Sequence, residues 1–240
     1  MQIKVIAVNL LMLLLLGAPA MAAETFAPPQ GCTGTLTVQL RQCLVTHVWT
    51  CQSDAPGDQW VALFSQNGPW QVRKVDRDFQ WLTTFYPDPP VTETMRQPAR
   101  DPSNIDELLS TRNDTYDFIV TRDDGSDPQH FVGYDRLTGE QVDIDGEALL
   151  RTEFAFDVLN PAGEITSSSA GRQYVSATHR LFFYGQDWNR ATPDQITDAS
   201  PVQFIYPGEP GFFSANPVYD CGATIAGDNP ALTPVSSIRN

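Results

Sequence analysis

Thr35-Leu36-Thr37-Val38-Gln39-Leu40 places three aliphatic side chains on one face of an extended chain and three polar ones on the other. Glu153-Phe154-Ala155-Phe156-Asp157-Val158 repeats the pattern with aromatics. Successive side chains of a strand point to opposite sides, so strict alternation over six residues is the mark of a half-buried strand. Working outward, the same reading gives strands over 44–50, 59–65, 71–75, 80–85, 116–121, 130–134, 141–144, 174–176, 180–184 and 203–206. Turn chemistry falls between them: Asn67-Gly68, Asp123-Asp124-Gly125, Thr138-Gly139, Asp145-Gly146 and Pro161-Ala162-Gly163. Short strands joined by such turns predict a mainly β domain, a single antiparallel meander forming a barrel, half-barrel or sandwich. One short helix is expected over 103–110, where Ser103-Asn104 precedes Asp106, Glu107 and an apolar pair. The stretches 87–102 and 185–201 carry weak strand signals and read as long loops, where function tends to sit.

The N-terminus carries Lys4, an apolar run from Val5 to Leu16 and the small-residue site Ala20-Met21-Ala22. This is the pattern of a cleavable secretory signal over 1–22. The run falls short of the about 20 residues that span a bilayer, and no other segment approaches that length. A lead-in over 23–31, one β domain over 32–222 and a loose tail over 223–240 complete the expected organisation. The protein is then exported, periplasmic if bacterial and otherwise secreted. In an oxidising compartment Cys32, Cys43, Cys51 and Cys221 read as two disulfides. If 35–40 and 44–50 form a hairpin turning near Arg41 and Gln42, facing residues have numbers that sum to about 83. Cys32 and Cys51 meet that condition, which leaves Cys43 to Cys221.

The net charge of -14, which becomes -15 once 1–22 and Lys4 are removed, disfavours nucleic acid and anionic membrane surfaces as partners. The chemistry-bearing motifs are few. No G-x-S-x-G elbow occurs, and Ser167-Ser168-Ser169 reads as a hairpin end. His47, His130 and His179 each lie in or beside an expected strand and read as structural, so replacement of each by Gln is expected to be tolerated. The sequence contains no H-E-x-x-H. A calcium loop with Gly146 at its sixth position fails at Gln141 and Thr152. With 29 acids, a pair at glycosidase spacing carries no information. No catalytic residue, metal ligand or cofactor site is assigned. The aromatic content, including Trp49, Trp60, Trp70, Trp81 and Trp188, chiefly fills a core. The alternating Phe154, Phe156, Val158, Phe182 and Tyr184 could line an apolar ligand surface. The expected role is non-catalytic binding of an apolar small molecule or of an envelope or other partner protein. The alternatives are a hydrolase with a site assembled from distant residues and a structural component of the cell envelope.

Overall fold

The structure is a computed structural model that describes residues 25–222, so the signal segment and the tail expected over 223–240 lie outside the described residues. It has thirteen strands: β1 Cys32–Leu40, β2 Leu44–Cys51, β3 Gln59–Ser65, β4 Gly68–Val75, β5 Trp81–Pro87, β6 Pro90–Met95, β7 Asn113–Arg122, β8 Gln129–Ile144, β9 Glu147–Leu159, β10 Ile165–Ser176, β11 Leu181–Asn189, β12 Thr197–Asp198 and β13 Pro201–Ile205. The helix α1, Ile105–Thr111, lies between β6 and β7. The strands form one sheet in the order β12-β11-β10-β9-β8-β7-β6-β5-β4-β3-β2-β1-β13. It is an antiparallel meander, except that β13 returns to pair with β1.

Among the described residues the sheet is not closed by strand pairing, which fits the half-barrel or sandwich rather than the full barrel. Its two edge strands are nonetheless joined by Ala199-Ser200. Ala199 N–H donates to the Gly185 carbonyl (2.9 Å), and the Arg41 N–H donates to the Ser200 carbonyl (3.0 Å). This brings the ends together around a shared core. Leu36, Val38 and Leu40 of β1, the aliphatic face read from the sequence, pack there with Leu63, Leu149, Leu181, Phe183 and Phe204. Burying each such aliphatic side chain contributes about 1.5–3 kcal/mol. A second core joins Met95, Tyr116, Phe118, Val120, Phe131 and Val158.

On the other, polar face of β1 Thr35 is exposed but Thr37 and Gln39 are buried, which alternation does not reveal. Thr37 is 0% and Gln39 2% exposed. Their hydrogen-bonding groups are satisfied by the segment after β13. Thr37 Oγ1 accepts from Phe213 N–H (2.9 Å), and Gln39 accepts from Val218 N–H (3.0 Å) while donating to the Asn216 carbonyl (3.2 Å). The polar face is therefore a rail on which the C-terminal segment docks. Phe26 packs beside it, and its N–H donates to the Phe213 carbonyl (2.9 Å), so the described part of the lead-in is pinned to the sheet.

Cys32 stands opposite Cys51, and the two are bonded; Cys43 is bonded to Cys221. This is the pairing selected by the hairpin arithmetic. Near the turn the facing numbers sum to 84, as in Leu40 with Leu44, and an irregularity between Gly34 and Leu36 brings them to 83 at the cysteines.

Several local expectations change. The stretch 87–102 contains β6, whose first residue is Pro90, a position where the missing N–H is tolerated. The stretch 185–201 contains the end of β11 and all of β12. Thr138-Gly139 is not a turn: 130–134 and 141–144 belong to one long β8, with the extra residues absorbed as a register shift against β9. The helix forms as expected. The Asn104 side chain caps it by accepting from Glu107 N–H (3.0 Å), and its Ile105 and Leu108 are buried against Val175, Phe79 and Phe182.

Candidate functional site

In a meander, alternate hairpin tips fall on the same edge of the sheet. The β3–β4 tip at Ser65–Gly68 and the β5–β6 tip at Pro87–Pro90 are therefore neighbours. Between them and the N-terminal segment lies an apolar cleft of about 440 Å³, lined by Thr25, Phe26, Ala27, Phe64, Pro69, Val72, Phe85, Tyr86, Pro87 and Ala215. Register sets its floor, since Phe64 faces Pro69 and Val72 faces Phe85 across the ladder.

Behind the cleft is an aromatic cluster. The Phe26 ring lies 5.1 Å from Phe64, 5.4 Å from Trp49, 5.7 Å from His47 and 5.8 Å from Phe213. Trp49 and Trp60 are parallel at 6.2 Å, and Trp60 continues to Phe85 at 6.1 Å. Phe85 is 40% exposed and forms the open lip. Tyr86 is largely withdrawn from water, which pushes its pKa up to about 12, and its hydroxyl donates to Glu93 (3.2 Å). The cleft is thus apolar in its walls, with its one phenol neutral at ordinary pH.

Of the five side chains proposed from alternation, Phe154, Phe156 and Val158 lie together at the second core while Phe182 and Tyr184 lie elsewhere, and none of the five lines this cleft. Val158 is in the second core, Phe182 packs on the helix, and Tyr184 borders the first core, accepting from Gln71 Nε2 (2.9 Å). Phe154 and Phe156 stack on one another at 6.1 Å, and each covers a glycine on an adjacent strand, Gly171 and Gly133. Of the residues that do form the cleft, Phe64 and Phe85 lay in expected strands. Phe26 and Ala215 come from opposite ends of the described chain, and no local pattern connects them.

The three histidines occupy separate sites. His47 is fully buried. Its Nδ1 lies 3.1 Å from Thr37 Oγ1, which also accepts from Phe213 N–H, and its Nε2 has no hydrogen-bond partner among the described residues. Burial lowers its pKa to about 4. His130 Nε2 lies 2.7 Å from Asp117, which also accepts from Arg100 (2.9 Å). His179 Nε2 lies 3.3 Å from the Tyr206 hydroxyl, which donates to Glu147. The serines read as a hairpin end lie within β10, and the Ser168 hydroxyl donates to Asp157 (2.5 Å), not to a histidine.

No protein-family model and no curated protein matches the chain. A solved structure from Bacteroides fragilis, described as having a YmcC-like fold, aligns with 77% of this chain and 100% of its own at 8% identity and a TM-score of 0.29. At that level the likeness carries no argument about fold or function.

Proposed function

We propose that this chain is an exported β domain that binds a small apolar molecule, with an aromatic or acyl group seated between Phe64, Phe85 and Phe26. The apolar cleft carries the reading. Its volume falls in the range of about 300–1,000 Å³ typical of small-molecule sites, and its walls are built almost wholly of aromatic, proline and aliphatic side chains. Two disulfides support residence in an oxidising compartment. Among the described residues no helix is long and apolar enough to cross a membrane.

The test uses the neutral fluorophore N-phenyl-1-naphthylamine with the purified protein, alongside native mass spectrometry of material kept in its expression medium. Saturable enhancement that Phe85→Asp abolishes, in a variant with unchanged circular dichroism, supports the reading. Enhancement that survives the substitution, or no binding together with no retained small-molecule mass, overturns it.

A further inference from the structure

A second recess, about 280 Å³, opens where the edge strands approach β1. It is lined by Arg41, Arg151 and Arg172 together with Tyr174, Asp198 and Ser200. The chain has 15 Lys and Arg against 29 Asp and Glu, so three cations around a single acid invert its average. The register assembles them. Arg172 on β10 faces Gln186 on β11, which faces Asp198 on β12, while Arg151 on β9 faces Tyr174. Arg41 arrives from the β1–β2 turn, held by its N–H on the Ser200 carbonyl.

The acid is already committed. Asp198 accepts from Ser200 N–H (3.0 Å), Ser200 Oγ (2.5 Å) and Gln186 Nε2 (3.3 Å). The donors are not. The Arg172 side chain is exposed and makes no ion pair or hydrogen bond among the described residues. Arg41 has only Asp220, at 4.0 Å, in an exposed pair. Arg151 gives Nη2 to the Tyr174 hydroxyl (3.0 Å), but its Nε is shielded from water without a hydrogen bond, with Glu140 off-line at 3.4 Å. The Ser200 proton goes to Asp198, so the Tyr174 proton has only the long 3.4 Å contact to Ser200 Oγ.

We infer that this recess binds a phosphate dianion, free or as the monoester of a small molecule. Guanidinium forks and a phenol supply directed donors for the several oxygens of a phosphate, and Glu140 and Asp220, the partners of Arg151 and Arg41, are exposed acids outside the lining that a bound dianion would displace. This site is separate from the apolar cleft and does not rest on it.

The experiment is calorimetric titration of the full disulfide-bonded protein at low ionic strength with inorganic phosphate and, separately, with glucose 1-phosphate, using chloride as the control. Saturable one-site binding is expected that weakens about tenfold or more in Arg172→Gln and in Arg41→Gln, as loss of a charge-assisted hydrogen bond requires. Arg172→Lys should recover part of it. Tighter binding of glucose 1-phosphate identifies an esterified ligand, and equal or weaker binding identifies the free anion. Both Gln variants should keep the native circular dichroism, because both side chains are exposed. No saturable heat up to about 10 mM, far weaker than a built site gives, overturns the inference, as does unchanged affinity in both Gln variants.

Discussion

Asp114 and Asp135 stand directly opposite one another on β7 and β8, 2% and 7% exposed. Facing side chains on neighbouring strands have Cβ atoms only about 4.5–5.5 Å apart. Burial pushes both carboxyls up to about 7; the nearby Glu107 and Asp101 add to this at Asp114, and Asp114 adds to it at Asp135. Asp135 accepts from Gln173 Nε2 (2.7 Å) and Asp114 from Asn104 N–H (2.9 Å), while Asp114 Oδ1 has no partner among the described residues and can carry a proton.

Acidity therefore stabilises this pair. Between about pH 4 and 7 the native state holds protons that the unfolded chain releases, so its contribution to stability falls as pH rises through that window. Asp114→Asn, which keeps the bond from Asn104, should be more stable than the parent at pH 8 and lose that advantage near pH 4. Urea midpoints of both proteins across this range check it, and a difference that does not vary with pH sinks the idea.

His47 acts in the opposite sense. Its pKa of about 4 in the fold, against 6.5 ordinarily, means that the unfolded chain takes up a proton first, and stability is lost as pH falls from 6.5 to 4. Gln is expected from sequence to be tolerated at each of the three histidines, and burial should make His47 the costliest of them. His47→Gln should cost about 1–3 kcal/mol, as an amide left partly unsatisfied does, while His130→Gln at a half-buried position should cost under about 1 kcal/mol. Thermal melts rank the two, and equal costs would show that the aromatic cluster tolerates an amide.

Gly133 is required by its neighbours. A Cβ there would lie 2.6 Å from Phe156 Cβ and 2.8 Å from Tyr116 Cε2, and would also strike the Ala155 carbonyl. Gly133→Ala should destabilise by about 1–3 kcal/mol, the usual cost of overpacking. An unchanged urea midpoint would mean that Phe156 moves aside freely.

The two disulfides close loops with sequence separations of 19 and 178, worth about 3 and about 5 kcal/mol in the chain-entropy model. Cys43→Ser with Cys221→Ser should cost more than Cys32→Ser with Cys51→Ser, and it alone should expose the segment after β13 to limited proteolysis. Equal protection in both variants would show that Thr37 and Gln39 hold the segment unaided.

Alternation in 35–40 and 153–158, turn residues at Asn67-Gly68 and Asp145-Gly146, and a cap before Ile105 were enough to determine strands, hairpins and the short helix, because each depends on contacts between residues near in sequence. The hairpin at Arg41-Gln42 extended this to the cysteine pairing, since register carries local geometry outward along two strands. Only the tertiary structure decided which surfaces are covered. Thr37 and Gln39 read as a solvent face and are buried by residues some 175 positions later, and Phe154 and Phe156, read as a ligand lining, lie over Gly171 and Gly133 of the adjacent strands. The apolar cleft likewise joins residues from both ends of the described chain, and the arginine recess joins the β1–β2 turn to strands more than a hundred positions later. Side-chain period fixes the side of a strand on which a residue lies, but what lies against that side depends on how the sheet curls.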